Sequence, residues 1–259
     1  MKFSYISDLV VETGRRCNAN CLHCLRGEPQ DLRISQRVIS CFCAGLAKGA
    51  SIGTLSIGGG EPALALSELA LLRRTLARRG VPYDSFYLVS GGFASEDKLK
   101  RLAAEALALW ADAGEKDPNT SGLALSADMF HPYTRDSVRD LFSGLSFFHP
   151  NEKTVKNGHT QYLIREGRAK NLEDSPGEYV LRDLGPSDWS FDEIEKDDAG
   201  DLQISGGTLY LCANGNIVNC CDLSYARADQ NPVCSVMDPD WPERWYKETL
   251  RRKETGEPA

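Results

Sequence analysis

The sequence has no run of 18 apolar residues, so no membrane-spanning helix is expected. Its first residues, MKFSYISDLVVETGRR, hold neither the apolar core nor the small-residue cleavage site of a secretory signal. It has no internal repeat and no low-complexity tract, which sets aside solenoids and biased linkers. Positive charge is short as well: 30 Lys and Arg stand against 37 Asp and Glu, a formal net charge of -7. A long electrostatic grip on nucleic acid is therefore not expected. What remains is an ordinary globular composition, 41% hydrophobic and 26% charged, over 259 residues. That suffices for one large domain, or for one domain with a small annex. Cysteine is the exception, with nine. Without a secretory signal, that number points to metal rather than disulfides, and to a cytoplasmic chain. The cysteines stand at 17, 21 and 24, then at 41 and 43, then nowhere until 212, 220, 221 and 234.

Short apolar runs at Leu9–Val11, Thr54–Ile57, Phe86–Val89, Leu123–Leu125, Leu145–Phe148 and Tyr162–Ile164 read as buried strands. Helical periodicity fills the gaps. Ile39, Phe42 and Leu46 share a face after Ser35, and Leu69, Leu72 and Leu76 do so after Ser67. Leu99, Leu102, Ala106 and Leu109 follow Ser95, and Val138, Leu141 and Leu145 follow Thr134. Each Ser or Thr stands where an N-cap belongs. Strand–helix alternation means parallel strands joined by crossover helices, and six such units predict an α/β fold, a partial (β/α)6 barrel of the TIM type. This core is expected over residues 1–185. Asp188–Asp201 then carries seven acidic residues and one lysine, so 186–204 reads as an acidic linker or an exposed helix. Residues 205–259 read as a small annex opened by a β-hairpin, TLYLC-ANGN-IVNCC, turning on Asn214-Gly215 as a two-residue loop. The final RRKETGEPA reads as a frayed tail.

The strongest local signal is Cys17-Asn-Ala-Asn-Cys21-Leu-His-Cys24, in a loop just after the first strand. Three thiolates this close in sequence can face one small volume, and iron–sulfur clusters are held by such thiolates, commonly four per cubane. Three ligands would leave one iron open to another molecule. With His23 as a fourth donor, the same stretch also reads as a zinc knuckle. A second motif, Ser56-Ile-Gly-Gly-Gly-Glu61-Pro62, ends the second strand and precedes a helix. Its glycines permit close backbone approach and its carboxylate suits an ammonium group.

Together the two motifs resemble the CxxxCxxC and GGEP signatures of the radical S-adenosylmethionine (radical SAM) superfamily. The resemblance implies a [4Fe-4S] cluster on Cys17, Cys21 and Cys24. It implies S-adenosylmethionine beside Gly59, Gly60, Glu61 and Pro62, with the backbone of His23 toward the adenine. Ser90, at the end of Tyr87-Leu-Val-Ser90-Gly91-Gly92, stands at a strand end that meets the same cofactor in relatives. Ser126 and Asp128 of Leu125-Ser126-Ala-Asp128-Met-Phe-His131 resemble a ribose-contacting segment, and Gly167-Arg168-Ala169 resembles a turn near the adenine. In such enzymes the reduced cluster cleaves the cofactor to a 5′-deoxyadenosyl radical, which takes a hydrogen atom from substrate. The implied electron donor is a flavodoxin or ferredoxin.

Gly215-Asn-Ile-Val-Asn-Cys220 resembles the start of SPASM and twitch extensions, which hold auxiliary clusters in relatives that modify ribosomal peptides, and Trp241-Pro-Glu-Arg-Trp245 resembles the segment after it. The pattern is shortened: the cysteine that precedes the hairpin in relatives is missing, and so is a cysteine-rich tail. With a two-residue loop, Cys212 pairs with Ile217 and shares a face with Cys221 four rows away, while Cys220 points to the other face. Cys220, Cys221 and Cys234 are the candidate ligands of a second iron–sulfur cluster. Their alternatives are buried apolar packing, or a thiol that returns a hydrogen atom to a substrate radical, as in peptide epimerases of this superfamily. Cys41 and Cys43 are expected in the core. Only 16 residues precede the triplet, so a fused precursor-recognition domain is not expected there. The expected substrate is a precursor peptide or protein side chain. The alternatives are a small molecule such as a sugar, nucleoside or amino acid, and a non-enzymatic zinc module. Neither nucleic acid nor membrane is an expected partner.

Overall fold

The computed structural model describes residues 1–126, 130, 136–150, 161–175 and 179–257. Asp128 and the Thr134 cap lie outside these residues. The central strand is β1 (Phe3–Gly14), and it pairs in parallel with β2 (Leu46–Gly59). Next to β2 come β3 (Tyr83–Ser90), β4 (Gly122–Leu125) and β5 (Phe148–Pro150), each parallel to the one before. The crossovers are the helices α1 (Gln36–Ala44), α2 (Leu66–Arg79), α3 (Glu96–Asp112) and α4 (Asp136–Phe142). Helices on one face and parallel strands in sequence order give the expected α/β architecture. A further pair, β6 (Gln161–Ile164) and β7 (Tyr179–Arg182), forms its own two-stranded parallel sheet.

Period-two patterning decides which side chains meet the helices. Leu9 and Val11 of β1, Leu55 of β2 and Phe86 and Leu88 of β3 join one core with Leu69, Leu72 and Leu76 of α2. Leu72 and Leu76 are fully buried, and burying a leucine is worth about 2 kcal/mol. On the opposite side of β1 stand Val10 and the buried Glu12, facing the inside of the barrel.

Ser35 caps α1 as expected, its side chain accepting from the Val38 N–H at 3.2 Å. Leu46 does not continue that helix. Gly45 ends it, and a Cβ there would sit 2.3 Å from the Trp241 ring, so only glycine lets the indole close over the helix end. Leu46 instead opens β2. α2 begins two residues earlier than expected: its N-cap is Ala65, and Ser67 lies inside the helix, donating to Glu68. Ser95 is the N-cap of α3 by backbone position, without a side-chain cap bond. The fifth strand falls at 148–150 rather than 145–148, because Leu145 N–H turns back onto the Phe142 carbonyl at the end of α4.

The C-terminal third differs most from expectation. Within 186–204 the chain forms β8 (Glu193–Lys196), which pairs antiparallel with β9 (Leu202–Leu211). β9 in turn pairs in parallel with the free edge of β1, so the first half of the expected hairpin is a strand of the main sheet. Its partner β10 (Asn216–Val218) is short, and β11 (Cys234–Ser235) closes that edge. The hairpin register is one residue away from a two-residue loop: Ile217 faces Leu211 and Val218 faces Tyr210. Gly215, at φ +93°, donates to the Cys212 carbonyl at 2.9 Å, so the loop holds three residues with the left-handed glycine last. The chain ends in α5 (Tyr225–Gln230) and α6 (Trp241–Thr255). α6 is docked through Trp241, which stacks on Phe3 and Phe42, and Trp245, which donates to buried Asn219 at 2.7 Å. Of the tail expected to fray, residues 251–255 continue this helix, and Arg252 donates to the Pro232 carbonyl at 2.9 Å. Among the described residues, no helix is long and apolar enough to cross a membrane.

Candidate functional site

A cavity of about 500 Å³ opens at the C-terminal ends of the barrel strands. Cys17, Cys21 and Cys24 line it from the loop after β1, and Gly59, Gly60 and Glu61 line it from the end of β2. The two sequence motifs thus reach one space because β1 and β2 are neighbours and end together. Their ends are stitched by backbone: Gly60 N–H donates to the Gly14 carbonyl at 2.8 Å and Glu61 N–H to that of Arg16 at 2.9 Å. Gly59 has φ +111°, and a Cβ there would lie 2.2 Å from the Gly14 oxygen, so this turn requires glycine.

Glu61 is the best-defined side chain of the site. It is 5% exposed. Its Oε1 accepts from Ser90 Oγ at 2.7 Å and Ala63 N at 3.2 Å, and its Oε2 accepts from Gly91 N at 2.9 Å. Burial pushes its pKa up, and the donors Ser90, Gly91 and Ala63 pull it back toward the ionised form. Pro62 is buried at the start of the short 3-10 turn that follows. Ser90 lies behind the carboxylate: its hydroxyl donates to Glu61 and accepts from Gly92 N at 3.0 Å, and the residue is 1% exposed. Ser90 is thereby placed to orient Glu61.

The cysteine loop is short of regular structure and is held by turns. Cys24 N–H donates to the Cys21 carbonyl at 3.2 Å, and the Cys24 carbonyl accepts from Gly27 N at 3.2 Å and Arg168 N at 2.9 Å. Cys17 Sγ accepts from Ala19 N at 3.5 Å. Burial pushes the Cys17 thiol up, with the Ala19 N–H acting the other way and Glu61 adding to the rise. Among the described residues, no three Cys, His, Asp or Glu side chains converge at metal-ligand spacing, and all three cysteines line the cavity. The donor chemistry nonetheless fits an iron–sulfur cluster, with three thiols and no competing carboxylate in the loop between Cys17 and Cys24.

The remaining expected residues are spread more widely. His23 lines the cavity with its ring stacked on Phe130 at 4.4 Å. Ser126 lines it from the end of β4, its N–H bonded to the Ser90 carbonyl at 2.9 Å. Gly167, at φ +55°, packs against the cysteine loop rather than the cavity: a Cβ there would meet the Leu25 and Cys24 carbonyl oxygens at 2.3 and 2.5 Å. Of the C-terminal cysteines, Cys221 packs partly buried against the cluster that holds Cys212 and Cys220, and Cys234 stands apart from them. Cys220 is buried with Cys212, Tyr210 and Val218, and burial pushes its thiol up to about 12. Cys234 packs on the other core and donates to the Trp241 carbonyl, its thiol also pushed up by burial to about 12. Cys221 alone of the three lines the cavity. The hairpin register differs by one residue from that of a two-residue loop and β10 ends at Val218, so Cys212 and Cys220 share one cluster instead of lying on opposite faces. Cys43 is buried, with its thiol raised to about 11, and Cys41 packs partly buried against the same core.

Sequence reading missed a buried polar network at the cavity floor. Arg15, 1% exposed, donates through Nε to Glu12 at 2.6 Å and through both terminal nitrogens to Asp229 at 2.6 and 2.8 Å. Glu12 also accepts from Tyr210 Oη at 3.1 Å and Ala213 N at 3.0 Å. The Arg15 guanidinium lies 4.5 Å from the centre of the Tyr225 ring. A Glu at the end of β1 followed by an Arg was the available signal, but no spacing rule ties either to Asp229.

No protein-family model matches the chain, and no curated protein matches it by sequence. Solved structures do match. One is described as native anSMEcpe with bound AdoMet and Cp18Cys peptide: 12% identity, 98% of this chain and 84% of that chain covered, TM-score 0.51. Two others are SuiB from Streptococcus suis, bound to precursor peptide SuiA (11% identity, 96% and 67% covered, TM-score 0.46) or to S-adenosylmethionine (11% identity, 96% and 67% covered, TM-score 0.43). Matched over nearly its full length, this chain adopts the partial-barrel fold of the radical SAM enzyme anSMEcpe.

Proposed function

We propose that this protein is a radical SAM enzyme that removes a hydrogen atom from a peptide or protein side chain. The observation that carries the reading is the meeting of Cys17, Cys21 and Cys24 with Gly59, Gly60 and Glu61 in one cavity at the strand ends. In this reading the three cysteines hold a [4Fe-4S] cluster and the glycine turn with Glu61 holds S-adenosylmethionine. When bound, that pair supplies one-electron cleavage of a carbon–sulfur bond and so a hydrogen-abstracting radical.

The chain's own residues bind, orient and exclude water. The Glu61 carboxylate, held by Ser90 and Gly91, is an acceptor for an ammonium group. The bare backbone of Gly59 and Gly60 permits close approach of a ligand. Val10, Ile57 and Val89 line the cavity with apolar surface that keeps water from a reactive species. A small flavin or iron–sulfur protein supplies the electron. A peptide substrate is supported by the peptide in the anSMEcpe structure of the same fold.

The small-molecule alternative is favoured by the cavity itself, whose volume of about 500 Å³ suits a small ligand and whose wall includes Cys221, Asp222 and Tyr225 of the C-terminal chain. Release of 5′-deoxyadenosine from S-adenosylmethionine by the reduced, reconstituted protein tests the reading. Release that rises with a candidate precursor peptide supports the peptide substrate. Release that rises only with a sugar, nucleoside or amino acid supports the alternative, and no release under any condition contradicts the proposal.

A further inference from the structure

Arg26 stands two residues beyond Cys24 and belongs to neither sequence motif. Its Nη1 donates to the Leu223 carbonyl at 2.7 Å and its Nη2 to the Cys221 carbonyl at 2.5 Å. Its guanidinium carbon lies 4.6 Å from the centre of the Tyr210 ring. Its own carbonyl accepts from Tyr225 N–H at 3.1 Å. The head and the backbone of one residue therefore both grip the C-terminal chain. Arg26 lines the same cavity as the three cysteines, and so do Cys221 and Tyr225.

The cysteine loop needs such a grip. Its stretch from Cys17 to Gly27 forms neither helix nor strand, and residues such as Leu22 are well exposed. Loops of this kind open locally at low cost unless tied down. A site that must hold several ligands at once needs a supporting shell to fix them. A guanidinium group can provide that shell, because its planar fork of donors reaches two carbonyls and stacks on a ring at once, which an ammonium group does not reproduce.

We propose that Arg26 is a positioning residue for the cysteine loop, fixing its Cys24 end against residues 221–225 so that the thiols and the C-terminal wall face the cavity as one unit. The proposal rests on the reading of Cys17, Cys21 and Cys24 as cluster ligands. It assigns the C-terminal chain a role in shaping the first cluster site, independent of any second cluster.

The test uses the full-length, anaerobically reconstituted protein as wild type, Arg26→Met and Arg26→Lys. Three readouts are taken: iron content, amide hydrogen exchange by mass spectrometry, and the electron paramagnetic resonance spectrum of the reduced protein titrated with S-adenosylmethionine. Arg26→Met is expected to raise exchange in residues 17–27 and 220–226 together by about tenfold or more, the scale of losing hydrogen bonds to a charged donor. Exchange in β2 and α2 stays unchanged. The spectral change on adding S-adenosylmethionine is expected to need about tenfold more ligand. Arg26→Lys keeps the charge and loses the fork, so it falls with the Met variant. If the Met variant does not fold, the Lys variant decides by the same exchange measurement. Full recovery in Arg26→Lys, or exchange that rises in 220–226 alone, overturns the proposal. Wild-type protein that takes up no iron overturns the cluster reading instead, and the exchange comparison still decides whether Arg26 fixes the loop.

Discussion

Ser90→Ala tests the claim that Ser90 serves Glu61. The substitution removes one hydroxyl from a position that is 1% exposed and leaves its neighbours in place. Two bonds go with it: the 2.7 Å bond to the Glu61 carboxylate and the 3.0 Å bond from Gly92 N. A hydrogen bond to a charged group is worth about 1.5–3 kcal/mol and one between neutral groups about 1 kcal/mol, so the variant loses about 2.5–4 kcal/mol. The first of these bonds favours the ionised carboxylate. Its loss raises the Glu61 pKa, already lifted by burial, further. The sign fixes the pH dependence. The wild-type advantage is greatest where Glu61 is ionised and shrinks as acid protonates the carboxylate in both proteins. Urea denaturation of the metal-free chain at pH 7 and pH 5, with a carbon-13 titration of the Glu61 carboxyl, reads both effects. A variant within about 0.5 kcal/mol of wild type, with an unmoved Glu61 titration, would refute the assignment.

Other expectations follow from the same structure. Glu12→Ala strips Arg15 of one carboxylate and leaves Tyr210 Oη and Ala213 N without their acceptor, at a cost of about 3–5 kcal/mol by denaturant melts; Glu12→Gln costs less. Gly59→Ala forces a Cβ onto the Gly14 carbonyl at a φ of +111°, so it lowers stability by about 2–3 kcal/mol and abolishes S-adenosylmethionine binding in equilibrium dialysis. Glu248 is held down at about 2 by Arg251 and then Arg252. Its contribution is present above the ordinary 4.5 and is lost as pH falls toward 2, so Glu248→Gln melts lower than wild type at pH 7 and level with it near pH 2. That pair is partly exposed, and the difference at pH 7 is about 1 kcal/mol or less.

The barrel strands were legible because each is an apolar run bounded by polar turns, and β1 to β4 all contain the stretches expected of them. The edges of elements were not. α2 begins at Leu66 because a 3-10 turn leads into it, and Ser67 is two residues too late to cap it. α1 stops before Leu46 because Trp241, nearly 200 residues on, closes over Gly45. The same long range hides the pairing of β9 with β1, which turns an expected annex strand into part of the main sheet. At the site, spacing alone located the cysteine triplet and the glycine turn. It did not locate Arg15, Arg26 or Asp229, since a single charged residue has no pattern until the fold sets its partner beside it. The hairpin misled by one residue: Asn-Gly signals a tight turn, but the loop that formed has three residues, which sets Leu211 rather than Cys212 opposite Ile217.

The central claim is that Cys17, Cys21 and Cys24 build one iron–sulfur site at the mouth of the barrel. Reconstituting the protein anaerobically with iron and sulfide, and measuring iron per chain in wild type and in Cys17→Ala/Cys21→Ala/Cys24→Ala, tests it most directly. The account predicts about four iron ions per wild-type chain and none in the triple variant. A colourless wild-type protein that binds zinc and no iron, or a triple variant that keeps its iron, would contradict it.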